Sequence, residues 1–338
     1  MAEPAELATI GEPIKASMLV ALEGDSRQAA SSRTSPVAHP NGILLKGLDR
    51  RFGSVWAGGH VVGVGLWDEV DGAMTGKKSL PLYVLATALL NSIDAAPDRD
   101  PLPNIYIIAP HTYQTIPMLH AHLANTISNS HAAVELLKPV RLLQYFDLAG
   151  IVESVAEVNE NVYRNSQNHA GRHQTGAGVT GQVHNIVLIQ GIGPTVYATY
   201  RRSNLLQANA LLAGLGRNIT QLSRLSSDIL VMVEFLVDIE EADDRQQNQG
   251  AIRPRTARSM VLDSAFSGSM GETLRLASCH ETLSKTLDAS LDRVVVVHDG
   301  LGRITSSMSR KGPQDQVVEV IKDRSGNLAG LWDVWKEA

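Results

Sequence analysis

"HVVGVGLWDEVDGAMTGKKSLPLYVLATALL" (residues 60–90) decides how the rest of the chain is read. It opens on an apolar, β-branched run. It crosses a polar turn containing glycine and enters an apolar stretch of helical length. Strand, turn and helix in that order form the frame of a phosphate-binding loop, written G-x-x-x-x-G-K-[ST]. In that loop the glycines let backbone N–H groups wrap a phosphate. The lysine reaches the outer phosphates, and the hydroxyl holds Mg²⁺.

The match is partial. Thr75, Gly76 and Lys77 are in place, but counting back puts Asp71 where the first glycine belongs, with Gly72 one residue late. The hydroxyl position is Lys78, and Ser79 again comes one residue late. A carboxylate at Asp71 repels phosphate. Lys78 removes a metal ligand and adds a cation that can bind phosphate without Mg²⁺. The nucleotide-binding candidates are therefore Gly72, Thr75, Gly76, Lys77, Lys78 and Ser79, with ATP as ligand and Mg²⁺ in doubt. The competing reading is a Gly-rich strand–helix turn with no ligand.

Further strands are read at 104–109 ("NIYIIA"), 185–190 ("NIVLIQ"), 228–237 ("DILVMVEFLV") and 292–299 ("DRVVVVHD"). Short continuous apolar runs suit strands covered on both faces. Helical stretches at 78–93, 115–127 and 204–225 alternate with them. The expected fold is α/β, a mostly parallel sheet flanked by helices. Residues 317–335 are expected to close it as a β-hairpin turning near Ser325–Gly326–Asn327. One domain is expected over 42–338, behind a disordered tail at 1–41. Polar stretches at 159–183 and 238–259 are expected to be flexible loops.

The chain has 338 residues, 43% of them hydrophobic, enough for a sizeable core. A net charge of −5 argues against a fold that is basic throughout, so any nucleic-acid contact must be a local patch. One cysteine, Cys279, excludes an internal disulfide framework and suits a reducing compartment. No apolar run reaches the roughly 18–20 residues that span a bilayer, and no secretory signal is read. His120 and His122 are two apart on an expected helix and do not share a face, so they make no zinc site. Cys279 and His280 are adjacent in sequence, an arrangement that does not pair a nucleophile with its base.

The polar positions that hydrolysis needs are altered together. A later strand end should offer an aspartate to Mg²⁺. The candidate here is Gln190, which can hydrogen-bond a metal-bound water but is a poor substitute. The second strand should be followed by a glutamate, and "IYIIAPHTY" offers Ala109, Pro110 and His111.

The order of these pieces resembles the RecA-type recombinases, in particular a divergent eukaryotic, fungal-like strand-exchange paralogue with degenerate nucleotide motifs. "GLDRRFG…GGHVVGV" (47–64) resembles the turn leading into the first strand of that core. "IYIIAPHTYQTIPML" (105–119) resembles the family's "YIDTEGTF" strand and helix. Thr112 and Tyr113 match its "TF", with Ile108 in place of the aspartate and Pro110 in place of the catalytic glutamate. "RLLQYFDLAGIVESVAEV" (141–158) resembles the helix-forming segment before the family's second acidic strand, and 185–202 that strand and its loop. The resemblance spans about 42–336 and rests on order and spacing.

It implies ATP-linked DNA binding in homologous recombination and repair, in the nucleus. DNA, single-stranded or a recombination intermediate, would meet Arg201 and Arg202 on one loop and Arg253, Arg255 and Arg258 on another. The competing reading is a solvated charged loop whose arginines pair with "EEADD". The N-terminal segment is short for the family's small helical domain and lacks a Phe-x-x-Ala polymerisation segment. The implied partners are other recombinase paralogues in a hetero-oligomer, with no membrane. Two alternatives stand beside this. One is an ATPase completed by a partner, with Glu69, Asp71 and Glu234 as the carboxylates at hand. The other is a P-loop kinase, which here lacks a lid and a base.

Overall fold

The structure, a computed structural model, describes residues 42–67, 79–94, 102–170, 183–240, 260–266, 273–298 and 316–335. A 3-10 helix, Arg50–Trp56, leads into strand β1 (His60–Trp67). Then follow α1 (Leu80–Asp94), β2 (Asn104–Pro110), α2 (Thr115–Ile127), α3 (Ser130–Leu136), β3 (Val140–Tyr145) and α4 (Leu148–Ala170). After them come β4 (Asn185–Ile189), α5 (Ile192–Arg202), α6 (Leu205–Arg224) and β5 (Ile229–Glu240). The chain ends with β6 (Thr273–Leu276), α7 (Glu281–Ala289), β7 (Arg293–His298), β8 (Gln316–Asp323) and β9 (Trp332–Trp335).

Among the described residues nine strands form one sheet, ordered β3-β2-β4-β5-β1-β7-β8-β9, with β6 against the far end of β5. The six strands from β3 to β7 run parallel. β8 and β9 form an antiparallel hairpin. This is the fold class expected from the sequence, the arrangement of a RecA-like core.

Side chains alternate along each strand, so one sheet builds two cores. Val62, Val64, Ile105, Ile107, Leu188, Leu230 and Met232 face α1 and α2. Val61, Ile108, Val187, Ile189, Val231 and Val233 face α4, α5, α6 and α7. On α4, Leu148, Ile151, Val155, Val158 and Val162 recur at helical spacing and fill that second core. Local chemistry starts the helices: Asp147 accepts from the Gly150 N–H at 2.9 Å before α4, and Asn204 from the Gln207 N–H before α6.

Four expectations need correction. Residues 141–158, expected to be helical, divide into β3 and the start of α4. β3 is an edge strand, largely exposed, so "VRLLQY" lacks the apolar run that marked its neighbours. α4 continues to Ala170, so 159–170 is helix and not loop. The segment after Gln190 is α5, not a loop. β5 runs on to Glu240 because β6, unforeseen, pairs with that extension. The expected tail at 1–41, residues 171–182 and residues 241–259 lie outside the described residues. No helix among the described residues is long and apolar enough to cross a membrane.

Candidate nucleotide site at the strand ends

Sheet register brings the site together. Pro110 of β2 pairs with Tyr145 of β3, Ile108 with Ile189 of β4, Ile189 with Val233 of β5, and Val233 with Gly63 of β1. Gln190 and Glu234 therefore stand level, one residue beyond that last row. By alternation both continue the face of Leu188 and Met232, toward α1 and α2.

Ser79 immediately precedes α1, and its carbonyl accepts from the Tyr83 N–H at 3.1 Å. Its hydroxyl donates to Glu234 Oε1 at 3.0 Å. The Gln190 side-chain N–H donates to Glu234 Oε2 at 2.9 Å. The Gln190 side-chain oxygen accepts from Thr115 Oγ1 at 2.5 Å, at the start of α2. The Gln190 backbone is held as firmly: its N–H donates to Ile108 O at 2.9 Å and its carbonyl accepts from Tyr145 OH at 2.5 Å. Every polar atom of Gln190 has a partner, which fixes the orientation of the amide.

Burial sets the electrostatics. Glu234 is 7% exposed, and removal from water raises its carboxyl to about 7, against the partial counter-effect of the Gln190 and Ser79 hydrogen bonds. Burial likewise holds the Tyr145 phenol well above its ordinary value. Gly191 follows Gln190 with φ +71°, a left-handed turn that swings the chain into α5. A Cβ there would stand 2.6 Å from Pro110 Cγ and 2.8 Å from Tyr145 OH, so only glycine fits.

The sequence candidates divide. Ser79 and Gln190 meet through Glu234. Gly72, Thr75, Gly76, Lys77 and Lys78 lie outside the described residues, as do Glu69 and Asp71. Arg201 and Arg202 are exposed in the last turn of α5, not on a loop, and the Arg201 guanidinium lies 6.0 Å from the Tyr197 ring centre. Arg253, Arg255 and Arg258 lie outside the described residues. Thr115 and Tyr145 were not singled out from sequence. Their only signal was position, each at the end of an apolar run or the start of a helix.

Two other sequence candidates resolve into structure. His280 Nδ1 accepts from the Thr282 N–H at 3.1 Å, capping α7, and Glu281 pairs with Lys285. Burial pushes the Cys279 thiol up, which disfavours a nucleophile. His122 packs edge-on to Tyr83, and His120 Nε2 lies 3.4 Å from Ser130 Oγ. Among the described residues no three His, Cys, Asp or Glu side chains group as metal ligands.

A magnesium–nucleotide needs hard oxygen donors, commonly one carboxylate with a hydroxyl and the phosphates themselves. Ser79 Oγ and the Glu234 carboxylate supply that pair. Gln190 does not, because its side-chain oxygen is turned to Thr115. At the end of β2, where hydrolysis would need an acid to activate water, Pro110 is followed by His111, whose ring packs against Phe146 with centres 4.7 Å apart.

No protein-family model matches the chain, and no curated protein matches it. Among solved structures the chain is similar to a crystal structure of the RadB recombinase, with a TM-score of 0.45 and 13% identity over 82% of this chain and 87% of that one. A likeness of this degree assigns no role to any residue.

Proposed function

We propose that this protein is an accessory factor of homologous recombination and DNA repair in the nucleus. It is a recombinase paralogue that binds DNA and partner recombinase subunits and hydrolyses ATP weakly or not at all. The observation that carries the reading is the end of β2. A hydrolytic site needs a carboxylate there to orient and deprotonate water, and the chain places Pro110 and a ring-packed His111. The groups that would bind and position a nucleotide, by contrast, are ordered by Gln190. Binding without turnover follows from that division.

DNA contact is assigned to Arg201 and Arg202, with Arg253, Arg255 and Arg258 on the resemblance alone. Arginines at the last turn of a helix suit phosphate oxygens, and such contacts are independent of sequence and weakened by salt. A labelled single-stranded oligonucleotide titrated into the full-length protein tests this. Arg201→Ala with Arg202→Ala should weaken binding at low salt and make log K less steep against log salt by about 2 for two lost phosphate contacts. No binding by the unaltered protein, or ATP turnover by it at an ordinary enzymatic rate of about 1 s⁻¹ or more, overturns the reading. A second reading, an ATPase completed by a partner subunit, is favoured by Glu234, a carboxylate held at the site.

A further inference from the structure

We propose that Glu234 is the carboxylate that holds the magnesium of a bound nucleoside triphosphate, a role moved one strand sideways from Gln190 on β4 to its neighbour on β5. The inference rests on reading the turn before Ser79 as a nucleotide site, and it names the cation that site takes.

Three observations converge. First, position: Val233 pairs with Ile189, so Glu234 stands beside Gln190, level with the strand end where a magnesium-holding acid is needed. Second, partners: the Glu234 carboxylate lies 3.0 Å from the Ser79 hydroxyl, and Ser79 is the first hydroxyl after Lys77. A hydroxyl at the head of the helix and a carboxylate from a facing strand form the pair that a nucleotide-bound cation uses. Third, charge: the donors to Glu234 are the hydroxyl of Ser79 and the amide of Gln190, both neutral, and among the described residues no lysine or arginine pairs with it. A buried carboxylate with only neutral donors is costly. A divalent cation is the counter-charge that would make the arrangement favourable.

Gln190 then has a defined task. With its oxygen on Thr115, its N–H group can only point at Glu234, so it steers the carboxylate toward Ser79. An aspartate at position 190 would instead place a second negative charge within contact of Glu234, which like-charge repulsion disfavours. The glutamine is a positioning residue for an acid that has moved.

The test uses full-length protein and a fluorescent ATP analogue, titrated in magnesium and in EDTA, with Mn²⁺ bound per protein counted by electron paramagnetic resonance. The unaltered protein should bind the analogue at least about tenfold more tightly with magnesium and hold Mn²⁺ only when nucleotide is present. Glu234→Gln keeps the shape and should lose both properties, its affinities with and without cation coinciding. Ser79→Ala should lower the magnesium preference in part. Retention of magnesium preference and bound Mn²⁺ by Glu234→Gln overturns the proposal. So does equal binding by the unaltered protein in both buffers, the result expected if a loop lysine neutralises the phosphates instead. That last outcome leaves the nucleotide site standing, whereas no binding in either buffer removes the nucleotide reading together with this inference.

Discussion

Two glutamates are buried in the one sheet, on opposite faces, and their surroundings differ in kind. Glu319 of β8 is 1% exposed and lies between Val318 and Val320, which face α1, so its own side chain points the other way. Three groups close on it: Ser264 Oγ at 2.5 Å, the Ala265 N–H at 2.7 Å and His298 Nε2 at 2.8 Å. A carboxylate only accepts, so the His298 tautomer with its proton on Nε2 donates to it. Phe266 then packs on the rings of His298 and Trp332. This is a tether: it pins residues 264–266 to the sheet, and nothing is left over. Glu234 has two donors, both neutral, at the place where the strand ends meet the head of α1. One carboxylate is finished by the protein, while the other is supported but not neutralised. The difference separates a structural acid from one kept for a ligand.

The largest effect should come from breaking the finished one. Glu319→Ala strands the Ser264 hydroxyl, the Ala265 N–H and the His298 ring together. Removing one member of such a buried cluster costs about 3–5 kcal/mol, read as a lower urea midpoint. A change under about 1 kcal/mol, the size of an ordinary exposed substitution, would mean that the tether is dispensable and the contrast with Glu234 false.

Next in size is the pH dependence of Glu234, measured in EDTA. Its folded-state carboxyl lies at about 7, above the ordinary 4.5 that the unfolded chain would show. The folded state therefore holds the proton more tightly, and protons favour folding. The contribution is fully present below about pH 4.5 and is lost as pH rises through about 7. The shift corresponds to about 3 kcal/mol of stability lost across that window. Glu234→Gln should flatten the slope. An unchanged slope in that variant would show that Glu234 is not the group responsible.

Much of this molecule was legible in its sequence because strands covered on both faces must be apolar throughout, and such runs stand out. Residues 60–66, 104–109 and 185–190 agree with β1, β2 and β4 to within a residue. β3 was not legible, since an edge strand open to solvent has no need of that signal, and its Leu, Gln and Arg favour helix equally well. β6 escaped because its reason lies elsewhere in the chain, in the end of β5. At the site, Glu234 was visible as an acid inside "VMVEFLV", a place where a charge must have a purpose or a partner. That its partners are Ser79 and Gln190 depends on register between β4 and β5, which no local pattern encodes.

Backbone geometry gives a sharper probe of the Glu234 side alone. Gly191→Ala forces a left-handed residue to carry a Cβ that meets Pro110 and the Tyr145 hydroxyl. The expected cost is about 1–3 kcal/mol. Because Tyr145 OH donates to the Gln190 carbonyl, the strain should displace Gln190 and alter the pH slope assigned to Glu234. A stability loss with that slope intact would show that Gln190 does not position the carboxylate.

The smallest effect is the most diagnostic. Ser79→Ala removes one of the two donors that favour the charged form of Glu234. Above pH 7 the carboxylate is ionised and the loss should be about 1 kcal/mol, the ordinary worth of such a bond. Near pH 5 the carboxyl is protonated and the hydroxyl contributes less, so the cost should shrink. Removing a donor also raises the carboxyl further, so the midpoint of the stability slope should move to higher pH. A cost that stays equal at pH 5 and pH 8 would mean that Ser79 serves α1 as a helix start and has no electrostatic tie to Glu234. The pairing of hydroxyl and acid at the head of the helix would then be a packing contact, and Glu234 would be one more structural glutamate like Glu319.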